Sequence, residues 1–253
     1  GMRIAVALMV VAFAGVWIIR DSFDLSMRLM SIAAYNGVAN YLFATIPLFV
    51  LMGHLVSISS VGKDTFDVAE ALLRRLLGGL GIATVAANTV FAAVTGVSIA
   101  SAAVFTKVAV PEMTRHGYKP SFSAGTVAGS SVLGMLIPPS LLLIIYGVLA
   151  EVSISRLFAA GLLPGLLVAG LYSLYIIIRC MITPSLAPRD SADLTSKARA
   201  LLDLLPVLCL IVVVLGAIYS GLATPSEAAA VGVFGTLIAV TVLRQMSWPL
   251  IRD

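Results

Sequence analysis

SSVLGMLIPPSLLLIIYG, residues 130–147, decides how this chain must be read. Two adjacent prolines and a serine interrupt a run that otherwise reads as lipid-soluble helix. Proline donates no backbone hydrogen bond, clashes with the preceding turn and drives the residue before it toward extended geometry. In hydrocarbon each freed backbone group costs several kcal/mol unless something satisfies it. The break is therefore buried in protein, lines an aqueous cavity or holds a ligand. A helix from Ser121 to about Leu133 is expected to stop at Gly134, with a second half-helix starting near Pro139 or Ser140. Free carbonyls near Ser130–Leu133 would suit a cation, and free N–H groups near Ser140 an anion. A kink tolerated by packing is the bland alternative.

The rest of the chain has the same character. Of its 253 residues 60% are apolar and 11% charged, and the mean hydropathy is +1.08. Soluble domains carry about 25% charged residues, so this is an integral membrane protein. Its excess of positive charge serves orientation rather than nucleic-acid binding. Apolar runs fall at Ile4–Ile19, Gly37–Ile58, Gly79–Val110, Pro120–Leu149, Ile154–Ile178, Leu204–Tyr219 and Ala228–Leu243. No cleavage site follows the first run, which reads as a retained span. Asp64–Leu77 and DLTSKARALLDLLP (residues 193–206) have the spacing of amphipathic interfacial helices, a solvated loop being the alternative for the second. Cys180 and Cys209 lack ligand-like spacing and read as small hydrophobes.

The run from Gly79 to Val110 is too long for one span, and its centre, TGVSIAS, is small and hydroxylated. Arms of Gly79–Ala93 and Val97–Val110 would reach about 21–23 Å, against about 30 Å of hydrocarbon. A re-entrant hairpin turning at Thr95–Ser98 fits; one long tilted helix and two short spans are the alternatives. If the run returns to its own side, 13 lysines and arginines gather on one face and 3 on the other; a single crossing gives 11 and 5. The returning arrangement fits the positive-inside rule better and puts both termini in the cytoplasm. Thr95, Ser98 and Ser101, beside Gly96, offer the neutral oxygens that Na⁺ accepts, although small-residue helix packing would use the same residues.

Other motifs weigh less. In ATPSEAAAVG (residues 223–232), Thr224, Pro225 and Glu227 read as a capping box starting a structural helix. An intramembrane serine hydrolase would need Ser98 and a histidine, but His54 and His116 sit near run ends and TGVSIAS is no nucleophile elbow. No intramembrane carboxylate pair supports an aspartyl protease or proton relay.

IPLFVLMGHL, TGVSIASAA, the long block from Val110 to Leu167 containing GMLIPPS, and the block from Leu205 to Gly232 containing SGLATPSEAAA resemble, in this order, the large membrane subunit of TRAP transporters, the DctM-like family. The resemblance covers nearly the whole chain. It implies an all-α polytopic fold: one repeat of an inverted-repeat, elevator-type transporter. Residues 1–78 would form N-terminal spans and an interfacial helix on the scaffold side. Residues 79–149 would form the hairpin and broken helix on the transport side. Residues 150–253 would hold further spans, a connector at about 190–205 and the repeat end. It further implies sodium-coupled uptake across a bacterial inner membrane, with no cofactor beyond Na⁺ as coupling ion. A periplasmic binding protein would deliver an organic acid of the C4-dicarboxylate or sialic-acid class to the large subunit and its small partner. Sodium would be held by Thr95, Gly96, Ser98, Ser101, Ser131, Gly134 and Ile137, and substrate would face Ser98, Pro138, Pro139 and Ser140. Two features depart from the family: Val97 replaces a serine of the usual Gly-Ser-Ser tip, and the second repeat is absent. That repeat, or a partner chain, would be needed for transport. A non-transporting assembly subunit is the alternative.

Overall fold

The computed structural model describes residues 4–39, 41–187 and 197–242, and every regular element among them is helical. The chain forms two compact units, Gly1–Ala44 and Thr45–Asp253.

The first unit pairs α1 (Ile4–Arg20) with α2 (Phe23–Ala39). Phe23 meets Phe13 and Trp17 edge-on, with ring centroids 5.4 Å apart in both contacts. The sequence reading left residues 20–36 as a connector; the structure makes most of it helix. Local chemistry explains this. Ser22 accepts from the Leu25 N–H at 3.3 Å, and Asp24 pairs with Arg28 one turn on at 2.9 Å. Polarity masked a helix that periodicity alone did not show. A 3₁₀ turn, Tyr41–Ala44, follows.

The second unit is built around α5 (Gly79–Thr95). It is buried along most of its length by α3 (Thr45–Ile58), α4 (Val61–Leu73), α6 (Ser98–Arg115), α7 (Pro120–Ser131) and later helices. Helix α4 is the amphipathic segment expected after Asp64, with Phe66, Val68 and Ala69 on its buried face. Helices α5 and α6 fold back on one another. Phe91 meets Phe105 at 5.5 Å between centroids, the Thr84 hydroxyl reaches Met113 Sδ at 3.5 Å, and the Leu80 N–H reaches the Tyr118 hydroxyl at 3.3 Å. Each pairing is centred near residue 98, as an antiparallel hairpin demands. One long tilted helix is excluded. The second arm is longer than expected because α6 carries Pro111 in its last turn but one and continues to Arg115. At 1.5 Å per residue the arms reach about 26 and 27 Å.

Beyond the hairpin come α7, a short α8 (Leu133–Leu136), α9 (Leu141–Leu149) and the 29-residue α10 (Ile154–Ile182). Helix α11 (Lys197–Tyr219) runs through Pro206 without a break, so the amphipathic connector is continuous with the following span from Lys197 on. Residues 188–196, where that connector was expected to begin, lie outside the described residues, as do Arg3, Arg244 and Arg252 of the charge count. Helix α12 (Pro225–Val242) starts in the expected capping box: the Thr224 N–H donates to the Glu227 carboxylate at 2.7 Å, and the Glu227 N–H to the Thr224 hydroxyl at 3.3 Å. Thr45 and Ser226 share a buried hydrogen bond that ties α3 to α12.

Candidate functional site

Two chain breaks meet in the second unit. At the first, α5 ends on Gly96, whose φ of +62° lies in the left-handed region that glycine tolerates. Its N–H closes the helix on Ala92 O at 2.9 Å. Val97 is extended (φ −129°, ψ 113°), and α6 begins at Ser98 with no side-chain cap. A β-branched residue suits that extended link, which gives a backbone reason for valine at this position.

At the second break the helix does not stop at Gly134 as the sequence suggested. It passes through Val132, whose torsions are still helical (φ −61°, ψ −23°), continues as α8 and ends at Ile137, which is extended (φ −78°, ψ 124°). Ile137 precedes Pro138, and proline excludes helical geometry from the residue before it. The Pro138–Pro139 bond is cis. Ser140 caps α9: its hydroxyl donates to Met135 O at 2.7 Å and accepts from the Leu143 N–H at 3.4 Å. The second half-helix therefore starts where expected. Two of the carbonyls expected to be free in Ser130–Leu133 are taken. Val132 O accepts from Met135 N–H at 2.9 Å and Leu133 O from Ile137 N–H at 2.8 Å. In the extended link between α8 and α9, the carbonyls of Ile137, Pro138 and Pro139 accept no hydrogen bond from the described residues. The short α8 uses Val132 O and Leu133 O, while the prolines, having no N–H, deprive the carbonyls four residues earlier, Gly134 O and Met135 O, of their usual main-chain donors, and the Ser140 hydroxyl serves Met135 O instead.

The two breaks touch. The Leu141 N–H donates to Gly96 O at 3.2 Å across the junction. A Cβ on Gly96 would overlap Pro139 O, and one on Gly134 would lie 2.9 Å from Ser98 N and 3.1 Å from Ser98 Cα. Gly134 is thus a close-approach residue rather than a helix stop. From the next layer, a Cβ on Gly53 would lie 2.9 Å from Thr95 O and one on Gly161 2.9 Å from Leu136 O. Four glycines let main chain approach main chain around one point.

Of the sequence-derived site residues, Gly96, Ser98, Gly134, Pro139 and Ser140 belong to this junction by direct contact. Ile137 and Pro138 supply its unpaired carbonyls, and Ile137 is buried. Thr95 is buried with its hydroxyl donating to Phe91 O at 3.0 Å, and Ser131 donates to Ala128 O at 2.9 Å. Ser101, one turn into α6, is buried and its hydroxyl has no partner. No charged residue occurs between Arg75 and Lys107 or between Lys119 and Glu151. A charged ligand at the junction would meet carbonyls, hydroxyls and N–H groups alone. Among the described residues no three His, Cys, Asp or Glu side chains gather as a metal site.

Asn88 was missed. It is fully buried on α5, its amide donating to the Ser130 hydroxyl on α7 at 2.7 Å, with Oδ1 unpartnered. The signal was present in TVAANTVF: one carboxamide inside an uncharged apolar run. Ser130 passes the bond on to Thr126 O at 2.7 Å.

The other candidates lie elsewhere. His116 closes the base of the hairpin, the length of α6 or about 27 Å from Ser98. There Arg74 contacts His116 Nε2 at 2.6 Å and Glu70 at 3.1 Å, and Glu112 lies 3.4 Å from His116 Nδ1. Burial pushes the Glu70 carboxyl above the usual carboxylate range, against the lowering effect of Arg74. The His54 side chain is exposed, and among the described residues it makes no hydrogen bond to a serine. Cys180 and Cys209 are free thiols.

The profile of the family described as tripartite ATP-independent periplasmic transporter, DctM component, matches residues 1–252. The chain is 38% identical over 226 residues to the C4-dicarboxylate TRAP transporter large permease protein DctM of Pseudomonas aeruginosa, covering 87% of the chain and 52% of that protein. It is 34% identical over 213 residues to the sialic acid TRAP transporter large permease protein SiaM of Vibrio cholerae (82% and 48%). It is 32% identical over 215 residues to the isethionate TRAP transporter permease protein DctMQ of Oleidesulfovibrio alaskensis (85% and 34%). The chain spans about half the length of the first of these relatives.

Proposed function

This chain belongs to the DctM component family of the tripartite ATP-independent periplasmic transporters, and on that premise we propose that it forms one repeat of a sodium-coupled organic-acid permease. It is a transporter subunit, not an enzyme; the hydrolase alternative built on Ser98 falls with the family assignment.

The contact between the hairpin tip and the broken helix carries the proposal. Main-chain oxygens without donors and the unpartnered Ser101 hydroxyl are the neutral, hard ligands that suit an alkali cation. Na⁺ enters as cargo at Gly96, Ser98 and Ser101 on one side and Gly134 and Ile137 on the other, with Thr95 and Ser131 supporting. The N-terminal N–H groups of α6 and α9 favour an anion beside it, so the substrate carboxylate faces Ser98 and Pro138–Ser140. Because one break alone leaves the ligand set incomplete, ion binding would tighten the tip against the helix and so couple the two cargoes.

In this reading α5 and α6 re-enter the membrane from the cytoplasmic side of the inner membrane, both termini are cytoplasmic, and the hairpin moves with α7–α9 as an elevator. A second repeat, on the same polypeptide or a partner chain, would complete the substrate site. A small membrane subunit and a periplasmic binding protein would complete the system. The substrate class is a C4-dicarboxylate or a sialic acid, after the relatives named for them.

The test is sodium-gradient-driven uptake of these acids by the completed assembly in proteoliposomes. Ser98→Ala and Gly134→Val are expected to raise the sodium concentration for half-maximal uptake while the protein still inserts in the membrane. Sodium dependence unchanged in both variants would refute the ion site.

A further inference from the structure

A cavity of about 330 Å³ opens between α5, α7 and α10, away from the tip. Its volume lies in the range of small-molecule sites, about 300–1,000 Å³. Arg179, Tyr172 and Tyr175 border it from one face of α10, and Ser121, Gly125 and Thr126 from α7. The cavity lies toward the hairpin base, where Lys119 N–H meets Leu186 O at 3.2 Å and the last turn of α10 carries Arg179. Among the described residues Arg179 has no ion pair, and the hydroxyls of Tyr172, Tyr175 and Ser121 have no hydrogen-bond partner. Among the described residues no carboxylate lines the space. A cation and three free hydroxyls around one cavity form a receptor for a tetrahedral oxyanion, since guanidinium binds phosphate bidentately.

The surroundings select the source of that phosphate. Arginine and tyrosine at the end of a long apolar helix occupy headgroup depth in a bilayer. On another face of α10, Leu171, Leu174 and Ile178 are exposed and would provide an apolar surface for hydrocarbon chains. We propose that this cavity holds the headgroup of an anionic phospholipid, with Arg179 on the phosphate and Tyr172, Tyr175 and Ser121 donating to its oxygens. A lipid held there rests on α5 and α7 together and braces the hairpin arm against the broken helix. Nothing in this proposal depends on sodium binding at the tip.

The experiment uses the full-length transporter purified in detergent. Its thermal unfolding midpoint is read with phosphatidylglycerol, with phosphatidylcholine and with inorganic phosphate, and retained lipid is counted by native mass spectrometry. Phosphatidylglycerol is expected to raise the midpoint more than phosphatidylcholine, and phosphate is expected to do nothing. Arg179→Gln should weaken the lipid effect by about fivefold or more in apparent affinity. Gly125→Leu keeps the charge but fills the cavity, since a Cβ there meets nothing within 4 Å; it should abolish retention without loss of fold. If both variants respond to phosphatidylglycerol as the unmodified protein does, or if phosphate alone reproduces the shift, the proposal is overturned.

Discussion

The two ends of the α5–α6 hairpin are held by different chemistry. At the base, side chains do the joining: Tyr118 to the Leu80 N–H, and Arg74, itself paired with Glu70 one turn back, to His116. At the tip the joining is main chain to main chain, through Gly96 O and Leu141 N–H, with glycines removing every Cβ that would intervene. Charged clusters need water or headgroups nearby to offset desolvation, so the base suits an interface. The tip has no charge to neutralise and leaves carbonyls open. In the proposed reading the same hairpin would present an anchor at one end and a receptor at the other.

That contrast can be broken experimentally, and the largest effect is expected at Gly96. Gly96→Val adds a side chain where φ is +62° and where Pro139 O leaves no room. A left-handed non-glycine residue alone costs about 1–2 kcal/mol. The forced separation of tip and break should abolish uptake while membrane levels, read by immunoblot, persist. Wild-type uptake in this variant would mean that the junction is not the site. Gly134→Val is next: its Cβ would meet the backbone of Val97 and Ser98, at 2.9 Å from Ser98 N. Loss of one or two ligand bonds to a charged group, about 1.5–3 kcal/mol each, corresponds to at least tenfold weaker sodium dependence.

Ser101 sharpens the contrast. A buried hydroxyl with no partner is a burden if it only packs, so Ser101→Ala would then be neutral or stabilising. If it is an ion ligand, the variant should need about tenfold more sodium for half-maximal uptake while unfolding no more easily. Asn88→Ala lies between the two ends. Removing it leaves Ser130 without its cross-helix donor, and a loss of about 1–3 kcal/mol in thermal stability is expected. Combining it with Ser130→Ala should cost less than the sum, because both changes delete the same bond. Additive losses would show that the two act separately. The smallest effect is at the base. Arg74→Gln removes a partly exposed pair with Glu70, expected to cost up to about 1 kcal/mol of stability. Sodium dependence should not change, and a change there would erase the distinction between anchor and receptor.

Much of the junction was legible in the residues. TGVSIAS announced a turn between two apolar arms, and IPPS announced a helix break, because glycine, hydroxyl residues and proline alter backbone options locally. The same local chemistry gave the Thr224–Glu227 box. Two expectations failed for one reason: they assigned a local task to a residue whose task is tertiary. Gly134 looked like a helix terminator but makes room for Ser98, and the carbonyls of Val132 and Leu133, assumed free, are taken up by the extra turn of α8. Asn88 was passed over because nothing nearby in sequence needs it; its partner is 42 residues away. The polar helix α2 was missed because apolar runs were the guide, and its stability comes from a cap and an i,i+4 pair.

By itself the sequence determined that this chain lives in a membrane, where its helices break and which residue types stand at the breaks, because hydrocarbon penalises charge and every unpaired backbone group wherever they occur. Only the tertiary structure decided that the two breaks meet, that Gly96 and Gly134 make that meeting possible, and that the carbonyls of Ile137, Pro138 and Pro139 are left unpaired beside it. Backbone preference acts over a few residues, whereas contact between positions some forty residues apart depends on how whole helices pack.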